Sequence, residues 1–151
     1  DTDIIYPGRY LNITDREKTA EHLFELAYPE LRAAIEPGEV IVAGKNFGCG
    51  SSREQAAAAL KFSNVGAVIA VSFARIFFRN SINLGLPAIV SATAVDLLET
   101  GDELLIDLTA GTIQKVGAEA VIPAAPLDPR AAELLAGGGL IPYLKKKYAA
   151  A

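Results

Sequence analysis

Ala67-Val68-Ile69-Ala70-Val71 is an uninterrupted apolar run, the pattern of a strand covered on both faces. Upstream, beyond a turn at Asn64 to Gly66, the sequence predicts a helix from about Arg53 to Phe62. That helix is built largely on Ala56, Ala57, Ala58 and Ala59, and so small a surface lets it approach a sheet closely. Before it lies a β-rich run, Val40 to Ala43, introduced by the turn pair Pro37-Gly38. Downstream, a helix over Ala74 to Leu84 meets a stop signal in Gly85 with Pro87 beyond it, and Pro87 to Val90 reads as another strand. Strand, helix, strand, helix, strand in that order predicts a small parallel sheet with right-handed crossovers.

The flanks read differently. Asp1 to Arg9 is expected to be extended or turning, punctuated by Pro7-Gly8. Thr14 and Glu17 have capping-box spacing, and Ala20, Leu23, Phe24 and Ala27 recur on one helical face, so a helix is expected there, ended by Pro29. A short helical turn follows around Leu31 to Ile35. Glu103 to Asp107, Thr112 to Lys115 and Ala118 to Ile122 are short strands at turn-like spacing and predict an antiparallel patch. Pro129 to Leu135 and Ile141 to Lys147 are expected to close the chain as helices around Gly137-Gly138-Gly139. With 151 residues and no internal repeat, the expectation is one α/β domain over 1–151.

Composition narrows the functional classes. Apolar residues make up 51% and charged residues 21%, as in an ordinary globular protein, and no apolar stretch is long enough to span a bilayer. No charged-then-apolar leader is visible, a trimmed leading segment is inferred from the start at Asp1, and a cytoplasmic location is expected. The net charge of -4 disfavours nucleic-acid binding, and the Lys145-Lys146-Lys147 run reads as a solvated helix end. A lone cysteine, Cys49, excludes an internal disulfide and a metal or iron–sulfur site built from this chain's own thiolates. His22 lies beside the apolar stripe of its helix and reads as a surface or half-buried residue, not a catalyst.

Asn46-Phe47-Gly48-Cys49-Gly50-Ser51-Ser52-Arg53-Glu54 carries the chemistry. It joins a predicted strand to a predicted helix. Its glycines let the backbone pass close to a ligand, and the free N–H groups of the first helical turn favour an anion. Two hydroxyls and a guanidinium at that point can orient a carboxylate or phosphate. Neither a Walker loop nor a dinucleotide fingerprint fits. Ser51-Ser52-Arg53-Glu54 is also a capping box, with Ser51 as cap, and a cap needs no ligand.

Four segments together resemble one family. Asp1-Thr2-Asp3-Ile4-Ile5-Tyr6-Pro7-Gly8-Arg9-Tyr10-Leu11 is similar to the opening of the small subunits of isopropylmalate isomerase and homoaconitase. Phe47 to Glu54 resembles the loop bearing the catalytic serine of aconitases, and Ser72-Phe73-Ala74-Arg75-Ile76-Phe77-Phe78-Arg79-Asn80 resembles the next helix start. Leu140-Ile141-Pro142-Tyr143-Leu144-Lys145-Lys146 resembles the family's C-terminus. The resemblance spans nearly the whole chain, in the family's order.

That resemblance implies a swivelling β/β/α three-layer domain that closes over a large partner subunit holding a [4Fe–4S] cluster, with no cofactor bound by this chain. The implied reaction is dehydration followed by rehydration of a small hydroxy-dicarboxylic acid. By resemblance Ser51 is the base, Ser52, Arg53 and Gly50 belong to the carboxylate-binding loop, and Asp3 relays a proton. Arg9 aligns with basic residues near the substrate, whereas Arg75 and Arg79 fit ion-pair or interface roles, and Cys49 is expected as a small packed loop residue. The loop Tyr10-Leu11-Asn12-Ile13-Thr14 is expected to face the substrate's variable group. Lacking arginine, and with Leu11 and Ile13, it suits an aliphatic branch such as isopropyl. Alternatives are a related hydro-lyase for homoaconitate, citraconate or dimethylmalate, and a non-catalytic anion-binding regulatory module. An isolated chain is expected to expose apolar surface and to self-associate.

Overall fold

The structure is a computed structural model and describes residues 1–149. Three strands, β1 (Val40–Ala43), β2 (Ala67–Ala70) and β3 (Ala88–Val90), form a parallel sheet in that order. Val40 pairs with Ala67, and Val68 with Ala88. Helices α4 (Glu54–Phe62) and α5 (Arg75–Leu84) make the two crossovers. The polyalanine reading holds: Ala56, Ala57, Ala59 and Leu60 are fully buried against Val68 and Leu86. Gly85 ends α5 in the left-handed conformation, with φ +76°.

Alternation along β2 divides the core. Val68 packs with the helices, while Ala67 and Ile69 point the other way, toward Ile113 and Ile122. Those two residues come from an antiparallel sheet of β4 (Leu104–Asp107), β5 (Thr112–Lys115) and β6 (Val121–Pro123). Helices, parallel sheet and antiparallel sheet are thus the three layers expected. The last strand lies further along than Ala118 to Ile122, because Ala118 closes a turn by donating to Lys115 O at 3.0 Å. Helix α6 (Ala92–Leu97) was not foreseen. Ser91 caps it, accepting from Ala94 N–H, and also donates to Pro123 O at 2.7 Å, which ties the two sheets together.

The N-terminal segment is helical rather than extended: α1 (Thr2–Ile5) is capped by the Asp1 carboxylate, and a 3-10 turn follows at Gly8–Tyr10. Helix α2 (Arg16–Glu21) is capped by Asp15, one residue beyond Thr14, since Asp15 accepts from Lys18 N–H at 3.0 Å. It is shorter than expected, and Leu23 and Phe24 are buried from the turns that follow. Pro29 starts a helix, α3 (Pro29–Ala34), because its missing N–H is harmless at the first helical position. Helices α7 (Pro129–Ala136) and α8 (Leu140–Ala149) close the chain near the two closing positions expected, with the three lysines exposed on α8. No helix of the described residues is long and apolar enough to cross a membrane.

Candidate active site

The loop from Gly44 to Arg53 leaves the carboxyl end of β1, beside the carboxyl end of β2, where open α/β sheets usually bind ligands. Its first half is pinned to the segment before α5. Phe47 N–H donates to Ser72 O at 2.9 Å, Ala74 N–H to Phe47 O at 3.0 Å, and the rings of Phe47, Phe73 and Phe77 pack together. Gly48 makes this possible: a Cβ there would lie 2.1 Å from Phe77 Cγ, and its φ is +76°. The second half is pinned to α1. Thr2 N–H donates to Cys49 O at 2.7 Å and its hydroxyl to Ser51 O at 3.1 Å. Gly50, at φ +99°, leaves room for that hydroxyl.

A cavity of about 170 Å³ opens between these anchors, lined by Thr2, Gly48, Gly50, Ser51, Ser52, Arg53, Ala74, Arg75, Ile76 and Phe77. Helices α4 and α5 both begin on its wall, with Arg53 and Ala74 as their N-caps, and neither has a side-chain cap. Two first turns of unsatisfied N–H groups therefore sit on one cavity, an electrostatic setting for an anion. The capping-box alternative is corrected here: the helix starts at Glu54, so Ser51 lies too far upstream to cap it. Ser51 and Ser52 are exposed on the cavity wall instead. Cys49 is exposed rather than packed, because its backbone is held on both sides while its side chain turns outward.

Arg53 is the most constrained side chain of the site, only 12% exposed. Its Nη1 donates to the Asp3 carboxylate and to Tyr6 O, and its Nη2 lies against Gly8, 3.2 Å from where a Cβ would stand. Its Nε is buried without a partner, which leaves the guanidinium with unused donor capacity. Asp3 and Arg53, fifty residues apart, are thus brought together with Gly50, Ser51 and Ser52.

Arg9 is not. Its guanidinium turns to Glu25, at 2.6 Å, and lies over the Tyr10 ring, 4.8 Å from the centroid. Sequence reasoning missed Glu25, which collects three groups: Arg9, the Tyr10 hydroxyl at 3.0 Å, and His22 Nδ1 at 2.5 Å, with Tyr10 and His22 stacked at 3.5 Å. Burial would raise the Glu25 carboxyl, but hydrogen bonds from His22, Tyr10 and Arg9 hold it below its ordinary value. The available signal was His22 three residues before Glu25, the spacing of a local ion pair. His22 is half-buried, as expected. In the loop Tyr10 to Thr14, Leu11 O accepts from Gln55 Nε2 at 3.0 Å, and Leu11, Asn12 and Thr14 are exposed while Tyr10 and Ile13 are half-buried. Arg75 lines the cavity, whereas Arg79 is exposed on α5 outside it.

Among the described residues no group of three His, Cys, Asp or Glu could hold a metal ion. One thiol cannot supply the several that an iron–sulfur cluster takes, so such a cluster does not fit this chain's own residues.

Comparison with known proteins agrees with this geometry. The family described as the aconitase C-terminal domain matches residues 1–93. The 3-isopropylmalate dehydratase small subunit of Moorella thermoacetica is 50% identical over 97% of this chain and 89% of its own length. The methanogen homoaconitase small subunit of Methanothermobacter thermautotrophicus is 47% identical over 97% of this chain and 84% of its own. The crystal structure of a 3-isopropylmalate dehydratase from Methanocaldococcus jannaschii superposes with a TM-score of 0.89 at 45% identity, covering 99% of this chain and 88% of that one.

Proposed function

The chain belongs to the aconitase C-terminal domain family, and from that premise we propose that it is the small subunit of a hydro-lyase interconverting 2-isopropylmalate and 3-isopropylmalate. The reaction is a dehydration followed by a rehydration, and its place is leucine biosynthesis in the cytoplasm. The whole chain acts as one swivelling domain against a large partner subunit. One observation carries the reading: a serine-lined cavity onto which the uncapped starts of α4 and α5 open, with Arg53 at its rim.

The substrate is an anion at both ends, and the cavity answers with partial positive charge from two helix starts and full charge from Arg53 and Arg75. One substrate carboxylate is held by Ser52, the Gly50 region and Arg53, which places the adjacent carbon beside Ser51. Ser51 takes the proton from that carbon. A neutral serine is a poor base, so the surrounding N–H groups and cations must stabilise its alkoxide. Asp3, exposed beside Arg53, relays the proton and orients the guanidinium. The cluster on the partner, when bound, supplies a Lewis acid for the departing hydroxide.

The loop Tyr10 to Thr14 faces the variable branch, and its exposed Leu11 and half-buried Ile13 suit isopropyl. A second reading, a homoaconitase-type subunit, has support in a relative of that name at 47% identity. The absence of an arginine from the loop weighs against it, since a carboxylate-bearing branch calls for one. Ser51→Ala in the two-chain enzyme tests the base: kcat should fall by about 100-fold to 10,000-fold with KM little changed. An unchanged kcat would remove Ser51 from the mechanism.

A further inference from the structure

Glu25 sits where the fold spends conformational strain. Phe24, directly before it, is 4% exposed and has φ +56°, a left-handed backbone that a bulky residue rarely adopts. The conformation is held by Phe24 N–H donating to Ile5 O at 2.9 Å and by Phe24 O accepting from Ala27 and Tyr28. Its result is to set Glu25 under the start of the loop Tyr10 to Thr14. There one carboxylate oxygen takes both the Arg9 guanidinium and the Tyr10 hydroxyl, and the other takes His22.

Arg9 is one residue from Gly8, and Gly8 packs against the Arg53 guanidinium. A second cation therefore begins next to the anion site, and its charge is directed away from that site by Glu25. Tyr10 is fixed from two further sides: its carbonyl accepts from the buried Tyr6 hydroxyl at 3.0 Å, and its ring stacks on His22. On these grounds we propose that Glu25 is a specificity-determining residue. By pairing with Arg9 and bonding Tyr10, it withholds a cation from the ligand and fixes the loop, so that the ligand group facing the loop is selected to be uncharged.

The proposal rests on the hydro-lyase reading and deepens it. With Glu25→Gln the hydrogen bond to Tyr10 is kept and the charge partner of Arg9 is lost. The test is kcat/KM of the reconstituted two-chain enzyme for 2-isopropylmalate and for homocitrate, whose branch ends in a carboxylate. Glu25→Gln should shift the ratio toward homocitrate by about tenfold, the scale of one charge-assisted hydrogen bond. Glu25→Gln with Arg9→Gln should abolish that gain, and Glu25→Asp, which keeps the charge, should retain the parental ratio. An unchanged ratio in Glu25→Gln overturns the proposal, as does an equal shift in Glu25→Gln and Glu25→Asp, which would mark a structural role only. If Glu25→Gln yields no folded chain, a shifted ratio in Glu25→Asp overturns it. A parental enzyme inactive on both substrates sinks the hydro-lyase reading and this proposal together, whereas activity with an unmoved ratio sinks this proposal alone.

Discussion

Gly48 has no space for a side chain on either count that matters, since a Cβ would enter the Phe77 ring and its φ is +76°. Gly48→Ala combines a left-handed backbone penalty with overpacking, so a loss of about 2–4 kcal/mol is expected in urea unfolding. A loss within measurement error would mean that Phe77 yields and that the loop is not pinned there. At this scale the sequence was informative where the chemistry is local. Gly50, Ser51, Ser52 and Arg53 are consecutive, and their residue types alone pointed to this loop, which lines the cavity, as the candidate anion site. The Asp3–Arg53 pair was not legible as a contact, because it joins positions fifty residues apart through the packing of α1 on the loop. Arg9 misled for the same reason. Its neighbour in sequence lies at the site, but its side chain follows Glu25, which the turns after α2 bring underneath it.

Short elements are where capping outweighs propensity. The four residues of α1 form a helix because Asp1 accepts from Asp3 and Ile4 N–H, and nothing in the apolar periodicity of so short a segment could show it. Helix α6 went unread likewise, although Ser91 is a good cap in retrospect. Its hydroxyl, on a residue only 5% exposed, serves α6 and the far sheet at once. Ser91→Ala removes the cap and strands the Pro123 carbonyl, so a destabilisation of about 1–3 kcal/mol is expected by thermal or urea unfolding. A neutral substitution would show that water replaces the hydroxyl and that Ser91 does not join the sheets. By contrast, β1, β2, α4 and α5 were legible nearly to the residue, since an all-apolar strand, an alanine helix and a glycine stop each carry their own signal.

Across the whole molecule, the βαβαβ half follows from order along the chain, whereas the docking of the antiparallel sheet on its second face does not. That docking depends on Ile113 and Ile122 meeting Ala67 and Ile69, contacts with no local trace in the sequence. The cavity lies at the end of the parallel sheet, and Ile76 on its wall is left 44% exposed to solvent. Ser51 and Ser52, on the same cavity wall, are exposed as well. On the proposed reading this surface is half of an active site, and the large subunit supplies the other half. The most direct measurement is unsaturated-acid absorbance on 2-isopropylmalate, followed anaerobically for this chain alone, for the cluster-bearing partner alone, and for the two mixed. Turnover only in the mixture is the predicted result. A stable complex of the two chains with no turnover would contradict the hydro-lyase reading.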